Sequence, residues 1–145
     1  MLYVLDTNIL IYAENSVAPE DDVVGDWLTG AVQDQTNAFI LCETSILAFL
    51  RISTNPRAFA KPLTIEIARK FIERLTRRRN VRIFRPTKEH FYEVCALADR
   101  HSFAGNKIMD AQLATMALSM GATLVTRDND FKAIPYLTTL DPARI

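Results

Sequence analysis

Two kinds of apolar pattern alternate along the chain. Short unbroken runs, Leu2-Tyr3-Val4-Leu5, Ala38-Phe39-Ile40-Leu41 and Ala122-Thr123-Leu124-Val125-Thr126, read as the doubly buried strands of a parallel sheet. Longer stretches repeat apolar residues every three or four positions and predict helices. A short helix opens at Ile9-Leu10-Ile11-Tyr12, behind the turn and capping chemistry of Asp6-Thr7-Asn8. Others cover about 20–34, 43–53, 65–79, 88–101 and 107–120. Asn55-Pro56 stops the 43–53 helix, Thr64 and Thr87 cap the next two, and Gly121 ends the last. In helix 88–101 the period turns Phe91, Val94, Cys95 and Ala98 inward. Val81-Arg82-Ile83-Phe84 alternates like a strand with one polar face, and Leu137-Thr138-Thr139-Leu140 makes a short last strand. The order β-α-α-β-α-α-β-α-α-β-β predicts one α/β domain over residues 1–145. It has three layers, α/β/α, around a central, mainly parallel sheet of about five strands.

Composition adds bounds. Of 145 residues 49% are apolar and 23% charged, an ordinary globular balance. The formal net charge of zero excludes a uniformly basic nucleic-acid binder, but it conceals a distribution. Residues 1–50 sum to −8 with no Lys or Arg, 51–107 to +9, and 108–145 to −1. Such asymmetry fits an anionic partner, a metal, or simply two halves that attract one another. No apolar run approaches the roughly 18–20 residues that span a bilayer, and the first residues show no leader pattern. Cys42 and Cys95 lack a CxxC spacing and read as packing residues, so a reducing, cytoplasmic setting is expected. His90 and His101 read as surface helix residues.

In open parallel sheets, ligands bind beyond the carboxyl ends of the strands. Asp6, Glu43, Asp128 and Asp130 fall there, although each alone is also an ordinary turn residue. Asp110 stands out because its helix, from Ile108 to Leu118, is apolar on most sides. A carboxylate there is costly unless it caps its own helix, pairs with Lys107, or shares a cation with other acids. Several acids on one edge suit Mg²⁺ or Mn²⁺, and no His/Cys set competes for zinc. The chain has no GxGxxG and no GxxxxGK[ST], which removes the dinucleotide and P-loop readings.

Val4-Leu5-Asp6-Thr7-Asn8-Ile9-Leu10, Glu43-Thr44-Ser45-Ile46-Leu47, Asp110-Ala111-Gln112-Leu113-Ala114 and Val125-Thr126-Arg127-Asp128-Asn129-Asp130-Phe131 together resemble the four acidic motifs of the PIN domain. Within that family the chain looks like the VapC toxins of type II toxin–antitoxin pairs, a likeness extended by Asn55-Pro56-Arg57-Ala58-Phe59 and Pro62-Leu63-Thr64. The resemblance implies a magnesium-dependent ribonuclease, with Mn²⁺ as a substitute, that cuts RNA and arrests translation. It implies a homodimer silenced by a cognate VapB-like antitoxin, with no membrane partner. Carried over by position, Asp6, Glu43, Asp110 and Asp128 are catalytic, and Asp6 and Asp110 are the principal metal ligands. Asn8, Thr126 and Asp130 are supporting residues. Water attack in line would leave a 5′-phosphate and a 3′-hydroxyl.

Arg69, Lys70, Arg74, Arg77, Arg78, Arg79, Arg82 and Arg85 then become candidates for an RNA groove, or else a solvated helix face. Arg51, eight residues after Glu43, is the base expected nearest the acids. Two other readings remain beside the nuclease. One is a non-catalytic RNA-binding PIN domain, which should have lost an acid. The other is a receiver-like phosphoryl-accepting switch, which should carry an aspartate after a middle strand; the third strand ends instead in Phe84-Arg85-Pro86-Thr87.

Overall fold

The computed structural model describes residues 1–145. Its strands are β1 (Leu2–Leu5), β2 (Ala38–Cys42), β3 (Val81–Phe84), β4 (Thr123–Val125) and β5 (Thr139–Leu140). The helices are α1 (Thr7–Glu14), α2 (Pro19–Gln33), α3 (Glu43–Ser53), α4 (Ile65–Thr76), α5 (Lys88–His101) and α6 (Ile108–Met120). All pairings are parallel, in the order β3-β2-β1-β4-β5. The chain builds outward from β1 through β2 to β3, then returns to the other side of β1 with β4. That reversal creates a crevice between the carboxyl ends of β1 and β4, where open α/β sheets bind ligands.

The period-2 alternation of β1 divides the core in two. Val4 faces a cluster built mainly from α5 and α6, including Val94, Leu97, Ala114 and Met116. Leu5 faces one built from α1 to α4, including Leu10, Leu28, Phe49 and Leu75. Every residue of α6 from Ala111 to Ala117 is buried, as its nearly continuous apolar sequence requires. Gly25 lets α2 lie close to α1: a Cβ there would stand 3.3 Å from the Ala13 carbonyl oxygen. Trp27 is half-buried and meets Tyr3 edge-on at 5.6 Å. No helix is long and apolar enough to cross a membrane.

Three expectations need correction. First, α4 stops at Thr76 rather than 79. Asn80 draws the chain into β3 by donating from Nδ2 to the carbonyls of Val32 and Asn37, both at 3.1 Å. Second, the inward face of α5 is His90, Val94, Leu97 and Ala98, whereas Phe91 is 49% exposed and Cys95 is exposed. Third, His90 is therefore a core residue. Its ring packs edge-on against Phe84 at 4.8 Å, and its Nε2 lies 3.3 Å from the Gln112 amide nitrogen. The amide nitrogen can only donate, so His90 Nε2 accepts from it, and burial holds the His90 pKa down.

Candidate metal centre

The crevice holds a hollow of about 290 Å³ at the carboxyl ends of β1 and β4. Asp6 enters it because it follows β1 directly and starts α1, with its backbone N–H donating to the Val125 carbonyl at 3.0 Å. Asp110 enters from the first turn of α6, and Asp128 from the loop after β4. Residues 6, 110 and 128 are thus brought together by the sheet's reversal rather than by proximity in sequence.

Thr126 joins two of these acids. Its buried hydroxyl donates to Asp6 Oδ2 at 2.7 Å and accepts from the Asp128 backbone N–H at 3.0 Å. Asn8 Nδ2 donates to the Thr126 hydroxyl oxygen at 3.5 Å. A single side chain therefore sets the orientation of Asp6 and the path of the loop bearing Asp128.

The electrostatics are strained. Burial pushes the Asp6 carboxyl up, and the charge of Asp128 adds to this. The Thr126 hydroxyl and the N–H groups opening α1 pull it back. Asp110 is pushed up to about 6, first by burial and then by the charges of Asp6, Asp128 and Asp130; Lys107 opposes them only in part. Lys107 in fact pairs with Asp130, Nζ to Oδ2 at 3.3 Å, and Asp110 caps nothing. Both modest explanations for Asp110, a cap or a lysine pair, are thereby removed. Asp130 is exposed and stands outside the hollow's lining.

Glu43 is placed differently from the expectation. It is exposed in the first turn of α3 and does not line the hollow. The helical period explains this: Ser45, Ala48 and Ile52 face the hollow, and Glu43 lies roughly 140–200° around the helix from them. Arg51 does line it. The other candidate bases go elsewhere. Arg74, Arg77 and Arg78 line a separate hollow of about 570 Å³ between α1, α2 and α4. Arg69 and Lys70 pair along α4 with Glu73 and Glu66.

Sequence reading missed the support beside Asp128. Arg127 Nη1 lies 3.3 Å from Asp21 Oδ1, its Nε 3.6 Å from Asp141 Oδ1, and its guanidinium 5.0 Å from the Tyr12 ring centroid. Asp21 is itself anchored, since Oδ2 accepts from the N–H groups of Val17 and Ala18. Only the capping position of Asp21 is visible locally; its link to a residue 106 positions away is not.

These residues fit a hard divalent cation. Asp6, buried, and Asp110, half-buried, form no ion pair with any cation, and the buried Asn8 Oδ1 has no hydrogen-bond partner. No three His, Cys, Asp or Glu side chains are arranged so that together they could hold a metal ion. Mg²⁺ needs no such trio, because it keeps several waters and binds through one or two carboxylates.

Comparison with known proteins agrees with this architecture. The family model of the PIN domain matches residues 3–136. Ribonuclease VapC31 of Mycobacterium tuberculosis is 28% identical over 141 residues, covering 97% of this chain and 99% of its own length. Among solved structures, VapBC2 from Rickettsia felis, bound to a promoter DNA fragment, superposes with a TM-score of 0.69 at 22% identity, covering 97% of this chain and 98% of that one. A toxin–antitoxin complex from Klebsiella pneumoniae gives 0.66 at 17%, with 97% of each chain covered. Both superpositions show the same fold. With the five-stranded parallel sheet, the acids at its reversal and a family match over nearly its full length, the chain belongs to the PIN domain family and is VapC-like within it.

Proposed function

We propose that this protein is a magnesium-dependent endoribonuclease and the toxin of a type II toxin–antitoxin pair. The observation that carries the proposal is the convergence of Asp6, Asp110 and Asp128 on one hollow, none of them in an ion pair. Asp6 and Asp110 would hold the cation, and Mn²⁺ would substitute for Mg²⁺. When bound, the cation supplies charge neutralisation at the scissile phosphate and acidifies the attacking water. Thr126 fixes the Asp6 carboxylate by hydrogen bonding. Asp128 orients the water from the loop that the same hydroxyl anchors. Asn8 offers its unpartnered Oδ1 to that water or to the cation's hydration shell.

The kinship to VapC31, named a ribonuclease, and the fold shared with toxin–antitoxin complexes support RNA as substrate and an antitoxin as partner. On this reading the active form is a homodimer, and cleavage arrests translation. Asp130, paired with Lys107, shapes the approach to the hollow. Glu43 has no part in the centre in the arrangement described. The want of an acid on the α3 wall favours one rival, a non-catalytic RNA-binding domain.

Cleavage of total RNA with Mg²⁺, with EDTA, and by Asp6→Asn separates the two. The nuclease reading expects cutting only by the wild type with metal, leaving 5′-phosphate and 3′-hydroxyl ends. Binding without cutting establishes the rival. Cutting that survives in Asp6→Asn, or 2′,3′-cyclic phosphate ends, overturns the mechanism.

A further inference from the structure

The acidic hollow contains one cation, and it is unpaired. Arg51 lines the hollow with Asp6, Asp110 and Asp128 but forms no ion pair with any of them. Five of the twelve arginines, Arg69, Arg74, Arg77, Arg127 and Arg144, meet a carboxylate; among those that do not, Arg51 alone lines a hollow that holds three acids. Beside Arg51 and the acids the lining includes the apolar Ile11, Ile52, Leu113 and Met109. Of these Met109 is 41% exposed and open to a ligand, whereas Ile11 and Leu113 are buried.

A guanidinium held apart from three available carboxylates keeps its planar fork free for an anion with oxygens in one plane. The exposed Met109 offers an apolar contact to the sugar or base that separates consecutive phosphates of a single strand. We propose that Arg51 binds a backbone phosphate neighbouring the one cleaved, and so sets the register of the RNA strand across the carboxylates. This rests on the ribonuclease reading. It also assigns α3 a role in the hollow that Glu43 does not fill: a substrate anchor in place of an acid.

Steady-state cleavage of a short single-stranded RNA across a salt series tests the assignment. Arg51→Ala should raise KM about tenfold or more, the loss of one charge-assisted hydrogen-bonding group, with kcat within about threefold. The slope of log KM against log salt should flatten by about 0.7, one phosphate contact on a single strand. Arg51→Lys should keep the slope and recover part of the affinity, because a point charge replaces a fork. Arg51 is exposed, so its variants are expected to melt with the wild type.

Binding of the same labelled RNA to Asp110→Asn, with and without Arg51→Ala, supplies a readout independent of turnover. An unchanged KM and slope, a kcat loss at constant KM, or unchanged binding each overturns the phosphate anchor. If the wild type cuts no RNA while Arg51→Ala still weakens binding, the ribonuclease reading fails and the anchor stands.

Discussion

Helix α1 ends in a carboxyl at each extreme, and the two have opposite fates. Asp6 caps its start and Glu14 closes its last turn, about 12 Å along the axis. Burial pushes both upward. At Glu14 the Arg74 guanidinium, 3.8 Å away, offsets part of the cost. At Asp6 the nearby charge is Asp128, which adds to it. The hollows around them differ in the same way. The larger one, near Glu14, has its cations engaged: Arg74 with Glu14, Arg77 with Glu73, and Arg78 with the Val32 carbonyl. The smaller one holds like charges and an unpaired arginine. Cavity size therefore points away from the chemistry, and unresolved charge points to it.

The severest test of that contrast is Asp110→Asn. Cleavage should fall about 100-fold or more, since a principal metal ligand is lost. Metal-free stability should nonetheless rise by about 1 kcal/mol, discounted for the partial exposure of Asp110. The sign follows from linkage. Because the folded pKa, about 6, lies above the unfolded value, Asp110 costs no stability at low pH and increasingly more as pH rises through 6. Denaturant melts of both proteins in EDTA should therefore coincide in acid and separate by neutral pH. A destabilised Asp110→Asn at neutral pH would mean that the carboxylates are not crowded.

Thr126→Val should come next, with about a 10–100-fold loss of activity and about 1–3 kcal/mol of stability as Asp6 loses its donor. Unaltered kinetics would show that Asp6 is held by the metal alone. Glu43→Gln marks the boundary of the acidic hollow and should change cleavage by less than about twofold, as an exposed side chain facing away. A large loss would mean that α3 rotates or unwinds when substrate binds. Least affected should be the Arg74→Ala, Arg77→Ala double variant, with kinetics on short RNA unchanged and melting lowered by at most about 1 kcal/mol. A rise in KM there would join the two hollows into one RNA surface.

The order of elements was legible because each is written locally: apolar runs for strands, three-and-four spacing for helices, Asn55-Pro56 and Gly121 as stops. Asp6, Asp110 and Asp128 were legible because strand ends and an acid in an apolar helix are visible without a partner. The phase of a helix is less visible. A period says that one face is inward, but the neighbouring elements choose which. Phe84 and Gln112 turned α5 onto His90, and the packing of α3 sent Ser45, Ala48 and Arg51 to the hollow in place of Glu43. The basic segment left two readings open for a similar reason: the partners that most of its residues find, on their own helix or across the other hollow, are not visible in the sequence.

The placement of β1 at the reversal also governs timing. β1, β2 and β3 can associate once the first 84 residues exist, but the far edge of β1 stays open until β4 arrives. Until then Asp6 has neither its Thr126 partner nor Asp110 and Asp128 beside it, so a growing chain holds a largely built sheet without a working centre. Pairing residues about 120 positions apart is slow, because loop closure precedes the contacts that reward it. The fold thus withholds the carboxylate centre until β4 has been made and has paired with β1, however early the rest of the sheet forms.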